Sequence, residues 1–149
     1  MPATLPFVTP PPADRASPWP VIAEGDRTGG AVSFGDARIP PGSPGPERHV
    51  HTHEDEAIYV VAGVLTVKVG ENRFEAEPQT LVWPPRQVPH VFASLSDEEV
   101  WTVGIITSAD LPRTGKLLRA SLSRPPDNDV LVAMSARYGA LPVEGPPLA

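Results

Sequence analysis

At 149 residues, the chain has the length of one domain and enough material to bury a real core. Charged residues make up 20% and hydrophobic ones 40%, and the formal net charge is -6, so there is no basic footprint for nucleic acid. Cysteine is absent, which excludes disulfides and thiolate chemistry, and no apolar run reaches the ~20 residues needed to cross a bilayer.

In chain order, the N-terminal segment MPATLPFVTP lacks the charged start and apolar stretch of a secretory signal, so the cytoplasm is the expected location. The 21 prolines cluster at 2–20, 40–46, 84–89 and near the C-terminus. Proline cannot donate to a ladder, so these clusters read as an arm and as loops between strands. Residues 1–30 are expected to form an extended arm, with Phe7, Trp19 and Val21 available to lie across a second subunit in a homodimer.

Residues 31–39 read as a strand ended by the turn-rich PPGSPG. Strands are expected next at 48–52, 57–62 and 64–69, with Gly63 permitting a tight turn. In LTVKV, the apolar Leu65, Val67 and Val69 alternate with Thr66 and Lys68, the period of a half-buried strand. Segments 73–76, 80–83, 88–95 and 100–107 complete a series of short strands at regular spacing, the pattern of a sandwich or barrel. The chain is therefore read as all-β over 31–107. Residues 108–149 form a tail with a short helix at 115–123 and a second at 127–139 that carries Leu131, Met134 and Tyr138 on one face. This tail is expected to pack on the barrel or on a dimer partner.

Chemistry is concentrated in two stretches. In PERHVHTHEDEAIYVVAG, residues two apart share a strand face, so His49 and His51 can present imidazoles to one ion. Glu56 follows after four intervening residues, and a chain reversal would bring its carboxylate to meet them. The second stretch, QTLVWPPRQVPHVFAS, holds the last histidine, His90, entering from a bend shaped by Pro84, Pro85 and Pro89. Three alternating histidines and a distant fourth favour a metal site. Taken alone, His53 reads as an ordinary surface or core residue. With no thiolate available, the donors are nitrogen and oxygen, which admits iron, manganese, nickel, cobalt, copper or zinc.

These two stretches resemble the two motifs of the cupins, small β-barrels of jelly-roll type. The histidine pair, the glutamate and the closing glycine of the first motif match His49, His51, Glu56 and Gly63, and the proline and histidine of the second match Pro85 and His90. Glycines usual in the second motif are replaced by Gln79 and Gln87, and its asparagine by Ser94. The wording of the first motif is most similar to that of single-domain bacterial proteins related to quercetin 2,3-dioxygenases. The resemblance implies a cupin-type jelly-roll β-barrel holding one divalent transition metal ion on His49, His51, Glu56 and His90. A register using His51 and His53 as the pair leaves too little chain for the turn before Glu56 and ranks second. His53 then stands as a spare ligand or an entrance residue, with Glu56 and His53 as candidate proton carriers. Glu54 and Asp55 read as solvated loop acids.

The expected substrate is a small enol, phenol or flavonol-like molecule in an apolar pocket lined by Ile58, Val60, Val88, Phe92 and Trp83. The implied activity is that of a metal-dependent dioxygenase. Two other readings share the barrel: a non-redox cyclase, isomerase or lyase, for example of a polyketide, and a small-molecule-binding cupin without turnover.

Overall fold

The structure, a computed structural model, describes residues 6–10, 21–23, 25–107, 140–143 and 148. The expected helices at 115–123 and 127–139 lie outside these residues. Ten strands are described: β1 (Val21–Ala23), β2 (Val32–Ile39), β3 (His49–His51), β4 (Glu56–Ala62), β5 (Leu65–Val69), β6 (Asn72–Ala76), β7 (Leu81–Val82), β8 (His90–Ala93), β9 (Val100–Thr107) and β10 (Ala140–Pro142). A single 3-10 turn, Gly25–Thr28, is the only helical element among the described residues, and none of their helices is long and apolar enough to cross a membrane.

The strands form two five-stranded antiparallel sheets, one in the order β1-β2-β9-β4-β7 and the other β10-β3-β8-β5-β6. From β2 to β9 the chain changes sheet at every connection except the β5-β6 hairpin and the step from β6 to β7 joins the sheets again, so neighbours in sequence face one another rather than pair. This is the jelly-roll arrangement that the resemblance to cupins implies, where strand spacing alone predicts a sandwich or barrel.

The core lies between the sheets. Ile39, Ile58, Val60, Val82 and Val100 from one sheet meet Leu65, Val67, Ala76 and Phe92 from the other in one buried cluster. Alternation decides which residues take part: in β4, Glu56, Ile58 and Val60 point inward while Tyr59 is exposed. In β9 the inward series is Val100, Thr102, Gly104 and Ile106, paired with Ile39, Ala37, Gly35 and Ser33 of β2. Trp101 falls on the outer face, where its indole Nε1–H donates to Asp36 and Arg38 stacks over its ring at 3.8 Å.

Two strands arise outside the span expected for the barrel. β1, in the segment read as an arm, pairs with β2 at the edge of its sheet. β10, in the segment read as a helical tail, pairs with β3, setting Ala140, Leu141 and Pro142 against His51, Val50 and His49. Pro142 is tolerated because β10 is an edge strand. Pairing along its length is what holds β3, since β3 meets β8 only at His49 and His90.

Gly63 closes the β4-β5 turn at φ +74°, and a Cβ there would stand 2.5 Å from the carbonyl oxygen of Glu99. Only glycine fits both constraints. Gln79 and Gln87 adopt φ 69° and 67°, the left-handed conformation that the glycines usual at these two positions would take at lower cost. Each is held by its backbone, with Gln79 N–H donating to Val60 O at 2.8 Å and Gln87 N–H to His51 O at 2.7 Å.

Candidate metal centre

The sheet change between β3 and β4 places His49 and His51 opposite Glu56, and antiparallel pairing sets His90 beside His49. His49, His51, Glu56 and His90 each bring one donor atom, all within 4.8 Å of one another. Two donors on opposite sides of an ion about 2.1 Å from each would be about 4.2 Å apart, so the group is close to the size one ion requires. The three rings pack with centroid separations of 5.1, 4.5 and 5.4 Å.

Ring orientation fits the donor set as well. His49 Nδ1 is bonded to the carbonyl of Glu47 at 2.8 Å, and His90 Nδ1 to that of Val88 at 3.0 Å. His51 Nδ1 lies 3.2 Å from Glu54 Oε2. In every ring Nδ1 is thus turned to an oxygen acceptor, which leaves Nε2 as the donor nitrogen. The Nε2 atoms of His90 and His51 lie 2.9 and 3.4 Å from the same oxygen, Glu56 Oε2.

Electrostatics follow from this crowding. Burial works against a charged His51, but hydrogen bonds and attraction from Glu54 and Glu56 outweigh it and hold the imidazolium up to a pKa of about 9. His49 is pushed the other way, to about 4, by burial and then by repulsion from His90 and His51. Burial raises the Glu56 carboxyl, yet the bonds from His51 and His90 prevail and keep it well below the usual carboxylate range.

The loops that carry these residues are tied together. Asp55 accepts from Arg86 Nη2 at 2.7 Å, Nε at 3.0 Å and the backbone N–H at 3.2 Å, joining the turn before Glu56 to the approach to His90. That guanidinium is the first cause of an Asp55 pKa lowered to about 2. Asp55 also anchors β9, donating its N–H to Thr107 Oγ1 at 3.1 Å and accepting from the Thr107 N–H at 2.9 Å.

Several expected site residues lie elsewhere. His53 is exposed, its ring bonded to Thr52 Oγ1 at 2.8 Å, and it stands outside the four-residue group. Ile58, Val60 and Phe92 belong to the buried core beneath the group. Val88 is half-buried and contributes its carbonyl to His90, while Trp83 is 49% exposed and no part of the core cluster. Glu54 corrects its reading as a solvated acid: it is 2% exposed, with Oε2 against His51. Asp55 corrects the same reading, as half-buried and bound to Arg86. Open space is found at Gly104, opposite Ile58 and one inward step from the Glu56–Ile106 pair, where an added Cβ would meet nothing within 4 Å.

Residues 35–105 match the family described as Cupin domain. No curated protein sequence matches the chain. Solved structures share this fold at low identity. A predicted oxalate decarboxylase from Thermotoga maritima is 14% identical with a TM-score of 0.57, over 60% of this chain and 77% of that one. KdgF from Halomonas sp. is 16% identical with a TM-score of 0.55, over 66% and 81%. A putative sugar phosphate isomerase from Acidithiobacillus ferrooxidans is 24% identical with a TM-score of 0.52, over 60% and 57%. The span that matches the cupin model therefore carries a His49/His51/Glu56/His90 cluster able to hold a metal ion.

Proposed function

We propose that the protein is a metal-dependent dioxygenase acting on a small molecule with an enol or phenol oxygen. The observation that carries the reading is the gathering of His49, His51, Glu56 and His90 with donor atoms within 4.8 Å of one another, two of the rings against the same Glu56 oxygen. A divalent ion held by these residues would supply a Lewis acid for the substrate oxygen and redox chemistry with dioxygen.

The chain's own residues account for the rest. Both ring contacts to Glu56 fall on Oε2, so Oε1 is left to take the proton of a substrate hydroxyl. The transfer breaks the substrate O–H bond, forms the O–H bond of the Glu56 carboxylic acid and leaves an enolate or phenolate. The opening at Gly104 offers room for the organic part beside this carboxylate, over the apolar floor of Ile58 and Phe92.

The test is oxygen uptake by metal-loaded protein given a flavonol or a related enol. Oxygen consumed in proportion to product supports the reading. Turnover that continues under anaerobic conditions replaces it with a non-redox cyclase, isomerase or lyase, and saturable binding without product replaces it with a binding module. Glu56→Gln is expected to lower turnover by about 100-fold while lowering metal content less. Equal losses would reduce Glu56 to a ligand.

A further inference from the structure

We propose that Glu54 is a positioning residue of the metal centre, its carboxylate standing against His51 Nδ1 so as to fix the ring with Nε2 toward the ion. The inference rests on the metal-centre reading above and adds a residue that the two cupin motifs do not contain.

Glu54 is 2% exposed, although Thr52, His53 and Asp55 around it are all less buried. A carboxylate that leaves water without a partner is strongly disfavoured, and a loop residue has an easy alternative in pointing outward. Glu54 instead turns inward to His51 at 3.2 Å, the one ion-pair contact it makes among the described residues. Its other oxygen, Oε1, is buried with no hydrogen-bond partner, and His51 Nδ1 makes no hydrogen bond of full geometry either, so the two side chains meet as an ion pair and Glu54 is not held there by a network of its own.

The three rings are supported unequally. His49 and His90 donate to backbone carbonyls, of Glu47 and Val88, while His51 alone has a carboxylate behind it. An anionic acceptor at Nδ1 makes the opposite nitrogen a stronger donor and holds the ring plane more tightly than a neutral carbonyl does. The backbone of His51 is held by β10 and by the Gln87 N–H, but β8 pairs with β3 only at His49, so the ring of His51 takes its support from Glu54.

The experiment compares Co(II) binding by the full chain, its Glu54→Gln and Glu54→Ala variants and His51→Ala. It uses a chelator-buffered titration repeated at several pH values, with all four proteins compared at each, so that loss of a competing proton is told apart from loss of support. Both Glu54 variants are expected to bind Co(II) about 10- to 100-fold more weakly and to shift its visible absorption bands. Thermal unfolding of the metal-free variants is expected below the wild-type midpoint, since His51 loses the partner of a buried pair, and the titrations are run well below every midpoint so that affinity is read on folded protein. Wild-type affinity and spectrum in either variant would overturn the proposal, as would a loss of binding that tracks unfolding of the metal-free protein. If the wild-type chain itself binds no Co(II), the metal-centre reading fails; if it binds and the Glu54 variants match it, this inference alone fails.

Discussion

At the scale of single residues, the two histidines that flank Thr52 have opposite fates. His51 is buried between Glu54 and Glu56, whereas His53 is exposed and bonded to its neighbour's hydroxyl. His51→Ala should therefore remove most bound metal and His53→Ala should leave it in place, with metal per chain as the measurement. The sequence made the first fate legible, because a period of two puts His49 and His51 on one face and the spacing to Glu56 leaves room for a reversal. It hid the burial of Glu54, since an acidic run beside a turn reads as solvated surface. The two glutamines at φ 69° and 67° carry a second prediction. A side chain in the left-handed region costs roughly 1 to 2 kcal/mol, so Gln79→Gly and Gln87→Gly should each stabilise the protein by about 1 kcal/mol, part of the gain being offset by glycine's freedom in the unfolded chain. Chemical denaturation checks this, and a loss of stability in both variants would contradict it. Glutamine gives no local sign of such a backbone; only its place where a motif glycine is usual does.

At the scale of elements, the strands of 31–107 were readable because alternation and turn residues agree there, with Gly63 and Gly70 closing the β4-β5 and β5-β6 turns. β10 was not readable: three residues ending in proline carry no periodicity, and their pairing with β3 is set by tertiary contact. That pairing has a functional consequence, since β3 carries two of the four clustered residues and is bounded on its other side by a single pair. Deleting residues 140–149 should weaken metal binding by about tenfold or more while the core between the sheets survives. Metal titration together with circular dichroism checks this, and unchanged affinity in the truncated chain would show that β3 holds itself. Arg86 serves the same end from the other side, bridging through Asp55 to the turn before Glu56.

For the whole molecule, folding brings together groups whose charges oppose one another until an ion joins them. In the metal-free protein His51 keeps its proton up to a pKa of about 9, so metal binding at neutral pH must release that proton. Apparent affinity is expected to rise about tenfold per pH unit from neutrality to about 9 and then level off, checked by titration in buffers of different ionisation enthalpy. Stability of the metal-free chain has its own sign. His51, raised above its ordinary 6.5, adds stability that is complete below 6.5 and lost as pH rises through about 9. His49, lowered to about 4, withdraws stability as pH falls from 6.5 to about 4, and the depressed Glu56 loses its contribution in stronger acid. The metal-free protein should thus be most stable near neutrality, and metal should extend that range upward. The measurement that bears most directly on the centre is metal content by elemental analysis after stripping with chelator and reloading with one divalent ion, for the wild type and for His49→Ala, His51→Ala and His90→Ala. About one ion per chain in the wild type and a loss in each variant is the predicted result. A wild type that retains almost none, or histidine variants that retain as much as the wild type, would contradict it.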